Sequence, residues 1–149
     1  NRSDMHRVMD IFRFFVSTKK DCLVSKSNIP AVAYFWVDAG FNSYEDGKSD
    51  FGYNMAIGRE SGSFLSKSGK MKNVMLSSCE SEYVSLCHGG TEVIYIKRFL
   101  NGLGLPQTNS TIIYEDNQST IKQIYGSKNH NVTKHIFPKF YYVKQQVKL

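Results

Sequence analysis

A helical repeat of apolar residues runs through the middle of the chain, between residues 77 and 102. Six positions share one stripe, within about 40° of one another on a helical wheel. They are Glu82, Leu86, Gly89, Val93, Ile96 and Leu100. Glu80 falls on the opposite face of the wheel, so Glu82 is the acid that ends the apolar stripe. A buried carboxylate there must be paired, protonated or bound to a metal ion, whereas at a wet helix end it only complements the helix dipole. The wheel leaves both interpretations of Glu82 open.

The two ends of this helix carry clear signals. Ser77 suits the N-cap position, and Glu80, three residues later, can close a capping box. Gly102 or Gly104 can end the helix, and Pro106 prevents its restart. The sequence therefore predicts one long helix at the centre of the fold.

Shorter patterns predict the other elements. An amphipathic helix is expected at 4–16, followed by a boundary in the Ser/Lys/Asn/Pro stretch near 25–30. Apolar and β-branched runs predict strands at 31–38, 51–57, 62–68 and 110–116, with GRESG as the turn between the second and third. A short helix at 120–125, capped by the segment NQS, and a basic helix after Pro138 complete the chain. This order predicts an α/β fold, in which a three-stranded meander is extended by a parallel β–α unit.

Two of the predicted strands end in an acidic residue. Asp38 is the last residue of the first predicted strand, and Asp116 is the last residue of the fourth. Strand alternation places Asp116 on the same side as Ile112 and Tyr114, and Glu115 on the other side. Sites in α/β folds often lie at the carboxyl edge of the sheet, although Asp38 also suits the start of an ordinary turn. With Glu82, three carboxylates from three elements would meet at one edge. Such a set suits hard divalent cations, two of which, about 4 Å apart, can support phosphodiester cleavage.

Composition narrows the class of protein. The 149 residues fit one ordinary domain, and no apolar run is long enough to span a membrane. Three cysteines without a CxxC spacing favour reduced thiols over disulfides or a zinc site. The net charge of +6 lies entirely after residue 116, where six lysines occur without any acidic residue. A basic end of this kind suits a polyanion such as nucleic acid, or else a solvated face. Lys67, Lys70 and Lys72 are expected in a mobile or phosphate-facing loop, or simply in a solvated one.

Several ordered segments carry recognisable motifs. They are GKSDFGY at 47–53, LSSCESEYVSL at 76–86, YIKRFLNGLG at 95–104, YEDNQSTI at 114–121 and HNVTKHI at 130–136. Together they resemble the ribonuclease H domain of copia-type LTR retrotransposons, whose patterns read RKSTSGY, LSSTEAEYMAL, WLRRLLEELG, YxDNQSAI and HSRTKHI. The segment VMDIFRFFVSTK at 8–19 is similar to the end of the reverse-transcriptase connection region in the same family. The resemblance divides the chain into a connection segment, 1–30, and a ribonuclease H-like domain, 31–149. The start at Asn1 and the end at Leu149 are those expected of a piece of a Pol polyprotein.

The resemblance implies a fold and an activity. The fold is ribonuclease H-like, with a mixed five-stranded-type sheet and helices on its faces. The activity is hydrolysis of the RNA strand of RNA–DNA hybrids during reverse transcription, with two Mg²⁺ ions, for which Mn²⁺ can substitute. The implied partners are the hybrid and the reverse-transcriptase domain of the same polyprotein, without a membrane. The implied location is the cytoplasmic virus-like particle and the nucleus.

The resemblance also assigns residues to roles. Asp38, Glu82 and Asp116 are the implied catalytic and metal-binding acids, and His135 is an implied catalytic group that orders the attacking water or assists product release. The implied phosphate contacts are Lys70, Lys72, Lys134 and Lys139. The family commonly has an acid after TKHI, where this chain has Phe137. This difference predicts weak binding of the second metal, and it leaves a second hypothesis, a degenerate or domesticated relative that binds nucleic acid or a protein without cutting.

Overall fold

The computed structural model describes residues 2–24, 32–126 and 137–146. In chain order the elements are α1 Arg2–Ser17, β1 Ala33–Gly40, β2 Lys48–Ile57, β3 Leu65–Val74, α2 Ser78–Gly102, β4 Ile112–Tyr114, α3 Gln118–Tyr125 and α4 Phe137–Gln146. Within these ranges, every predicted helix and strand is present, with shifted ends. Of the helices described, none has both the length and the apolar character needed to cross a membrane.

The described strands form one mixed sheet in the order β3-β2-β1-β4. β1, β2 and β3 are a meander of antiparallel pairs, and β4 lies parallel to β1 on its other side. The predicted α/β class, with a meander extended by a parallel β–α unit, is therefore confirmed. The described part of the sheet has four strands, one fewer than the five-stranded type that the resemblance implied.

The loop predicted around the three lysines is wrong, because Lys67, Lys70 and Lys72 belong to β3. The turn between β2 and β3 is longer than predicted, because β2 ends at Ile57 and β3 begins only at Leu65, and β3 continues to Val74 instead of ending at residue 68. β3 is an edge strand that pairs only with β2 among the described strands, and most of its side chains are exposed. Polar and charged residues are common on such edges, which explains why this strand lacks a clear apolar alternation.

The hydrophobic core lies between α2 and one face of the sheet. Phe35 and Val37 of β1 and Met55 of β2 are buried there, and they belong to one cluster with the apolar stripe of α2. Gly89 allows the closest approach, because a Cβ at this position would lie only 2.6 Å from Cε1 of Phe35. The helix therefore packs directly onto the central strand.

The two ends of α2 follow the predicted signals. Ser77 is the N-cap, and its Oγ accepts a hydrogen bond from the Glu80 backbone N–H at 3.2 Å. At the other end Gly104 has a positive φ of 78°, and the N–H of Leu105 donates to the Leu100 carbonyl at 2.9 Å. This is the Schellman arrangement that favours glycine, so the predicted stop at GLG is confirmed.

Glu80 was predicted on the face of α2 opposite the apolar stripe, and this face is not open to solvent at Glu80. Its side chain is fully buried, and its carboxylate accepts the backbone N–H of Leu76. α3 and α4 also pack on α2, and Tyr83 of α2 lies 5.1 Å from Phe140 of α4 between ring centroids. The first two turns of α2 are thus enclosed on several sides, which a single helical wheel does not show.

α1 carries a large apolar surface. Its large apolar side chains are all exposed, and it packs on none of the other described elements. They include Met5, Val8, Met9, Ile11, Phe12, Phe14, Phe15 and Val16. The boundary predicted near residues 25–30 lies outside the described residues, so the division into 1–30 and 31–149 stays a prediction.

Candidate metal and active site

Three carboxylates from three elements meet at one edge of the sheet. Each of Asp38, Glu82 and Asp116 offers an oxygen atom, and these atoms all lie within 4.8 Å of one another. Asp38 and Asp116 are exposed, while Glu82 is only 5% exposed. The site therefore has two acids open to solvent and a third that reaches it from the interior.

The register of the parallel strands explains why the two aspartates meet. Trp36 of β1 lies opposite Tyr114 of β4 in the parallel pair. Asp38 and Asp116 each follow two residues later, so both arrive at the same edge and on the same side. Asn117 then turns the chain into α3, because its side-chain oxygen caps the helix by accepting two backbone N–H groups.

Glu82 is brought to this edge by the packing of α2. It lies in the second turn of the helix, two turns before Gly89, where α2 contacts β1 most closely. The hydroxyl of Ser85 donates to the backbone carbonyl of Asp38 at 2.8 Å, which joins the end of β1 to the helix. The N–H of Ala39 donates to the Asp38 carboxylate at 2.9 Å and so fixes its orientation.

The electrostatics of Glu82 are those of a buried acid among other acids. Burial is the main cause that raises its pKa to about 8, and the negative charges of Glu115, Asp38 and Asp116 raise it further. Its Oε2 is buried and accepts no hydrogen bond from the residues that the structure describes. The backbone N–H of Ala39 lowers the pKa of Glu82 only in part. A buried carboxylate oxygen without a partner needs a proton or a cation.

Glu115 is a further acid at the site, and the sequence analysis did not select it. Burial raises its pKa to about 7, partly opposed by the hydrogen bond that the Asn117 N–H donates to its Oε1 at 2.9 Å. Its Oε2 is buried, without a hydrogen bond from the described residues. The strand alternation correctly turned Glu115 away from Asp116, but that direction leads into the domain. Its position directly before Asp116 in the sequence was the signal that could have identified it as a site residue.

Two of the lysines predicted to contact phosphates lie on β3. Lys70 forms an ion pair with Asp46 at 2.9 Å, and its Nζ lies 4.4 Å from the ring centroid of Tyr44. Lys72 is exposed on the same strand. The geometry therefore leaves Lys72 open to solvent, whereas Lys70 already has an acidic partner.

Lys139, the third of these lysines, contributes to a basic patch on the side of α2. Partial desolvation and then the charge of Lys139 lower the pKa of His88; Lys67 and Lys72 act in the same direction, and Glu92 opposes them. His88 is exposed and stacks on Phe51 with 4.6 Å between ring centroids. We call Lys67, Lys72, His88 and Lys139 the basic patch. The sequence analysis had not included His88, because a single histidine on a helix carries no distinguishing spacing.

Three residues named in the sequence analysis remain without a structural test. Lys134 and His135 lie outside the described residues, and of Phe137 only the backbone, at the start of α4, is described. Their roles at the site therefore stay predictions.

The fold and the three carboxylates together define a ribonuclease H-like domain. In a comparison with solved structures, the chain is similar to the N-terminal RNase H domain of rv2228c from Mycobacterium tuberculosis, solved as a fusion with maltose-binding protein, with a TM-score of 0.53 and 14% sequence identity. That match covers 77% of this chain and 72% of the other. At this identity the similarity shows the fold.

The sequence relatives are more specific. Over 138 residues the chain is 33% identical to the retrovirus-related Pol polyprotein from transposon TNT 1-94 of Nicotiana tabacum and 28% identical to that from transposon RE1 of Arabidopsis thaliana. The matches cover 92% of this chain but only 10% and 9% of those relatives, so the chain spans about a tenth of their length. No protein-family model matches. The chain is a homologue of the retrovirus-related Pol polyproteins of plant transposons.

Proposed function

We propose that this chain is the ribonuclease H domain of a retrotransposon Pol polyprotein, and that it hydrolyses the RNA strand of RNA–DNA hybrids with divalent metal ions held by Asp38, Glu82 and Asp116. The observation that carries the proposal is the meeting of these three carboxylates within 4.8 Å, with Glu82 buried behind two exposed aspartates. The ribonuclease H-like fold and the homology to Pol polyproteins support the choice of substrate.

The residues at the site fit a hard divalent cation. All three donors are carboxylate oxygens, which Mg²⁺ and Mn²⁺ prefer. Oε2 of Glu82 has no hydrogen bond from the described residues, and the charges that shift its pKa are all negative. A bound cation would compensate this charge. Two Mg²⁺ ions, or Mn²⁺ in their place, would supply an activated water and stabilise the charge that develops on the leaving oxygen.

The residues at this site have different proposed roles. The two exposed aspartates face the solvent from which a phosphodiester approaches, and Glu82 holds its side of the site from the packed interior. The bond from Ser85 to the Asp38 carbonyl keeps strand and helix together. In the proposal, His135 orders the attacking water or assists product release, as the family resemblance implies.

Substrate binding would rest on the phosphate backbone of the hybrid. Lys72 and Lys139 of the basic patch, together with Lys134, are the proposed contacts. Lys70 and Lys67 contribute less, because Asp46 and Glu92 already form ion pairs with them. Lysine contacts to phosphate release counterions, so binding should weaken as salt rises. Selection of a hybrid would come from groove shape and 2′-hydroxyl groups more than from base sequence.

The partner within the polyprotein is proposed to be the reverse-transcriptase domain. The exposed apolar side chains of α1 support this, since an unpacked apolar helix surface usually marks an interaction site. The cytoplasmic virus-like particle and the nucleus are the locations that fit such an activity.

A cleavage assay tests the proposed function. A labelled RNA–DNA hybrid is incubated with the chain in Mg²⁺ and separately in Mn²⁺. We expect cleavage of the RNA strand, and a loss of about hundredfold or more in Asp116→Asn, because one charged ligand is removed. Asp10→Asn on α1 is the matched control and should keep full activity. Activity that survives Asp116→Asn would refute the metal site.

One specific observation favours a second candidate. Phe137 stands where the family commonly has a fourth acid, so the domain would be a relative that binds nucleic acid or a protein partner without cutting. The same assay separates the two candidates. Tight hybrid binding without cleavage in either metal would support this second function and exclude the first.

A further inference from the structure

A groove of about 370 Å³ lies on the face of the sheet opposite the core. The strand pairs form it, since Trp36 of β1 lies opposite Asn54 of β2, and Asn54 lies opposite Ser66 of β3. Its lining includes Trp36, Asp38, Gly52, Asn54, Ser66 and Ser68. A volume of this size is typical of small-ligand sites and is too small for a duplex.

One wall of the groove is the indole ring of Trp36. On the side of β4 this ring stacks on Tyr114, with 5.4 Å between centroids and 15° between the ring planes. The groove lies on the other side of the indole, because it extends over β2 and β3 and its lining does not include Tyr114. Tyr114 therefore supports the indole from one side and leaves the other side to a ligand.

The floor of the groove has no side chain at Gly52. The backbone there does not have the positive φ that favours glycine. A Cβ would also fit, since its nearest neighbour would be the Asp38 carbonyl oxygen at an ordinary 3.9 Å. Neither the backbone nor the packing of the described residues therefore requires glycine. Glycine within a strand often marks the close approach of a ligand, which is the explanation that remains at Gly52.

Asn54 presents an oriented hydrogen-bond donor beside the indole. Its Oδ1 accepts hydrogen bonds from the hydroxyls of Ser63 and Ser66, the second at 2.6 Å. These bonds fix the amide and occupy its oxygen. The amide nitrogen is the group left for a ligand, and none of the described residues accepts a hydrogen bond from it. A planar aromatic ligand with an acceptor atom on its edge would use both the indole and this donor, and nucleobases have this chemistry.

The groove also adjoins the three carboxylates. Asp38 lines the groove and belongs to the carboxylate site. Trp36 and Asp38 are two residues apart on β1, so their Cα atoms are about 7 Å apart and their side chains leave the same face of the sheet. A nucleic-acid strand whose backbone lies at the carboxylates would therefore have a base within reach of Trp36.

We propose that this groove binds one unpaired nucleobase, which stacks on Trp36 and accepts a hydrogen bond from the Asn54 amide. The base is unpaired, because a base inside a duplex has its faces covered by its neighbours. This inference rests on the proposed function for its choice of a nucleic-acid ligand. It adds a subsite that holds a single-stranded nucleotide next to the place where the backbone is cut.

Nuclear magnetic resonance on the full chain tests the proposal with adenosine 5′-monophosphate (AMP) in EDTA. Trp36 is the one tryptophan of the sequence, so its indole N–H gives a single identifiable signal. AMP should shift this signal in a saturable way, because a stacked base changes the magnetic field around the indole. Ribose 5-phosphate, which lacks the base, should leave the signal in place at the same concentrations. An equal shift with ribose 5-phosphate would overturn the inference, since it would show binding of the phosphate alone.

Variants locate the binding in the groove. Gly52→Leu fills the space beside Trp36 and should weaken AMP binding about fivefold or more, as the loss of one stacked base should do. Gly102→Leu is the matched control, because nothing lies within 4 Å of its Cβ, and it should bind AMP like the wild type. Asn54→Ala removes one hydrogen bond and should weaken binding about two- to tenfold. An unchanged affinity in folded Gly52→Leu would overturn the inference, and if this variant does not fold, Asn54→Ala decides by the same criterion.

Failure of this inference can be told apart from failure of the proposed function. The AMP titration needs neither a metal ion nor cleavage, so Asp116→Asn should bind AMP like the wild type although it loses hybrid cleavage. Cleavage of the hybrid by a wild type whose Trp36 signal does not respond to AMP would overturn this inference alone. A saturable response of Trp36 to AMP without hybrid cleavage in Mg²⁺ or Mn²⁺ would support the subsite and refute the proposed hydrolysis.

Discussion

The close contact between α2 and β1 makes Gly89 a sensitive position. An alanine Cβ there would lie 2.6 Å from Cε1 of Phe35 and 3.0 Å from Cγ2 of Val37. Carbon atoms in proteins prefer separations of about 3.5–4.0 Å, so the helix would have to move away from the strand by roughly 1 Å. Gly89→Ala is therefore expected to separate the two elements that carry Glu82 and Asp38.

The magnitude follows from two opposing effects. Overpacking in a core costs about 1–3 kcal/mol, and replacing glycine by alanine in a helix interior returns about 1 kcal/mol. Gly90→Ala has the second effect without the first, because the nearest atom to its Cβ would be Cε1 of Tyr142 at an ordinary 3.7 Å. Gly89→Ala should therefore be less stable than Gly90→Ala by about 1–3 kcal/mol.

Urea unfolding followed by far-UV circular dichroism measures this difference between the neighbouring variants. Gly89→Ala should also bind Mn²⁺ more weakly, because Glu82 lies two turns away on the same stripe and would move with the helix. Equal stability of the two variants, with unchanged Mn²⁺ binding, would refute the packing argument. It would show that the contact of α2 with β1 does not set the position of Glu82.

Two further predictions concern ionisable groups. In EDTA the stability of the chain should fall as the pH rises from about 5 to about 8. The pKa of Glu82 is raised from 4.5 to about 8 in the folded state, so Glu82 stays protonated there at pH values at which the unfolded chain has already released this proton. Glu82→Gln should reduce this dependence of stability on pH, and near pH 8 it should be more stable than the wild type by about 2–4 kcal/mol. Urea unfolding measures both effects, and an unchanged dependence on pH would contradict the raised pKa of Glu82. Cys22 is exposed, whereas Cys79 and Cys87 are half-buried and burial raises the pKa of both thiols, so Cys22 should react first with a thiol reagent. Peptide mass mapping checks this order, and equal rates for the three thiols in the folded chain would contradict it.

The elements with strong local signals could be predicted from the sequence. The N-cap at Ser77, the stop at Gly104 and the apolar run of β1 each depend on residues close in the chain, and the structure has all three. The shared edge of Asp38 and Asp116 was also accessible, because it follows from a parallel pair of strands whose acids come at the same offset.

The errors come from packing between elements that are distant in sequence. The second half of β3, after residue 68, was predicted as a loop, and Met71 is the one buried side chain of this strand; this half forms because β2 offers it a hydrogen-bonding edge. Glu80 is fully buried although the helical wheel turns it away from the apolar stripe, and a wheel does not show that α3 and α4 also pack on α2. Glu115 was set aside because strand alternation gives a direction but does not say whether that direction leads to solvent or to the interior.

The stacked aromatic residues beside the site give the chain a built-in optical probe. Trp36 is the single tryptophan in the sequence, and its ring stacks on Tyr114 with 5.4 Å between centroids. Trp36 lies two residues before Asp38 on β1, and Tyr114 lies on β4 two residues before Asp116. The two stacked rings are therefore carried by the same two strands that bring the aspartates together. Selective excitation of tryptophan should therefore report any change in the spacing of these strands from one defined place, without an added label.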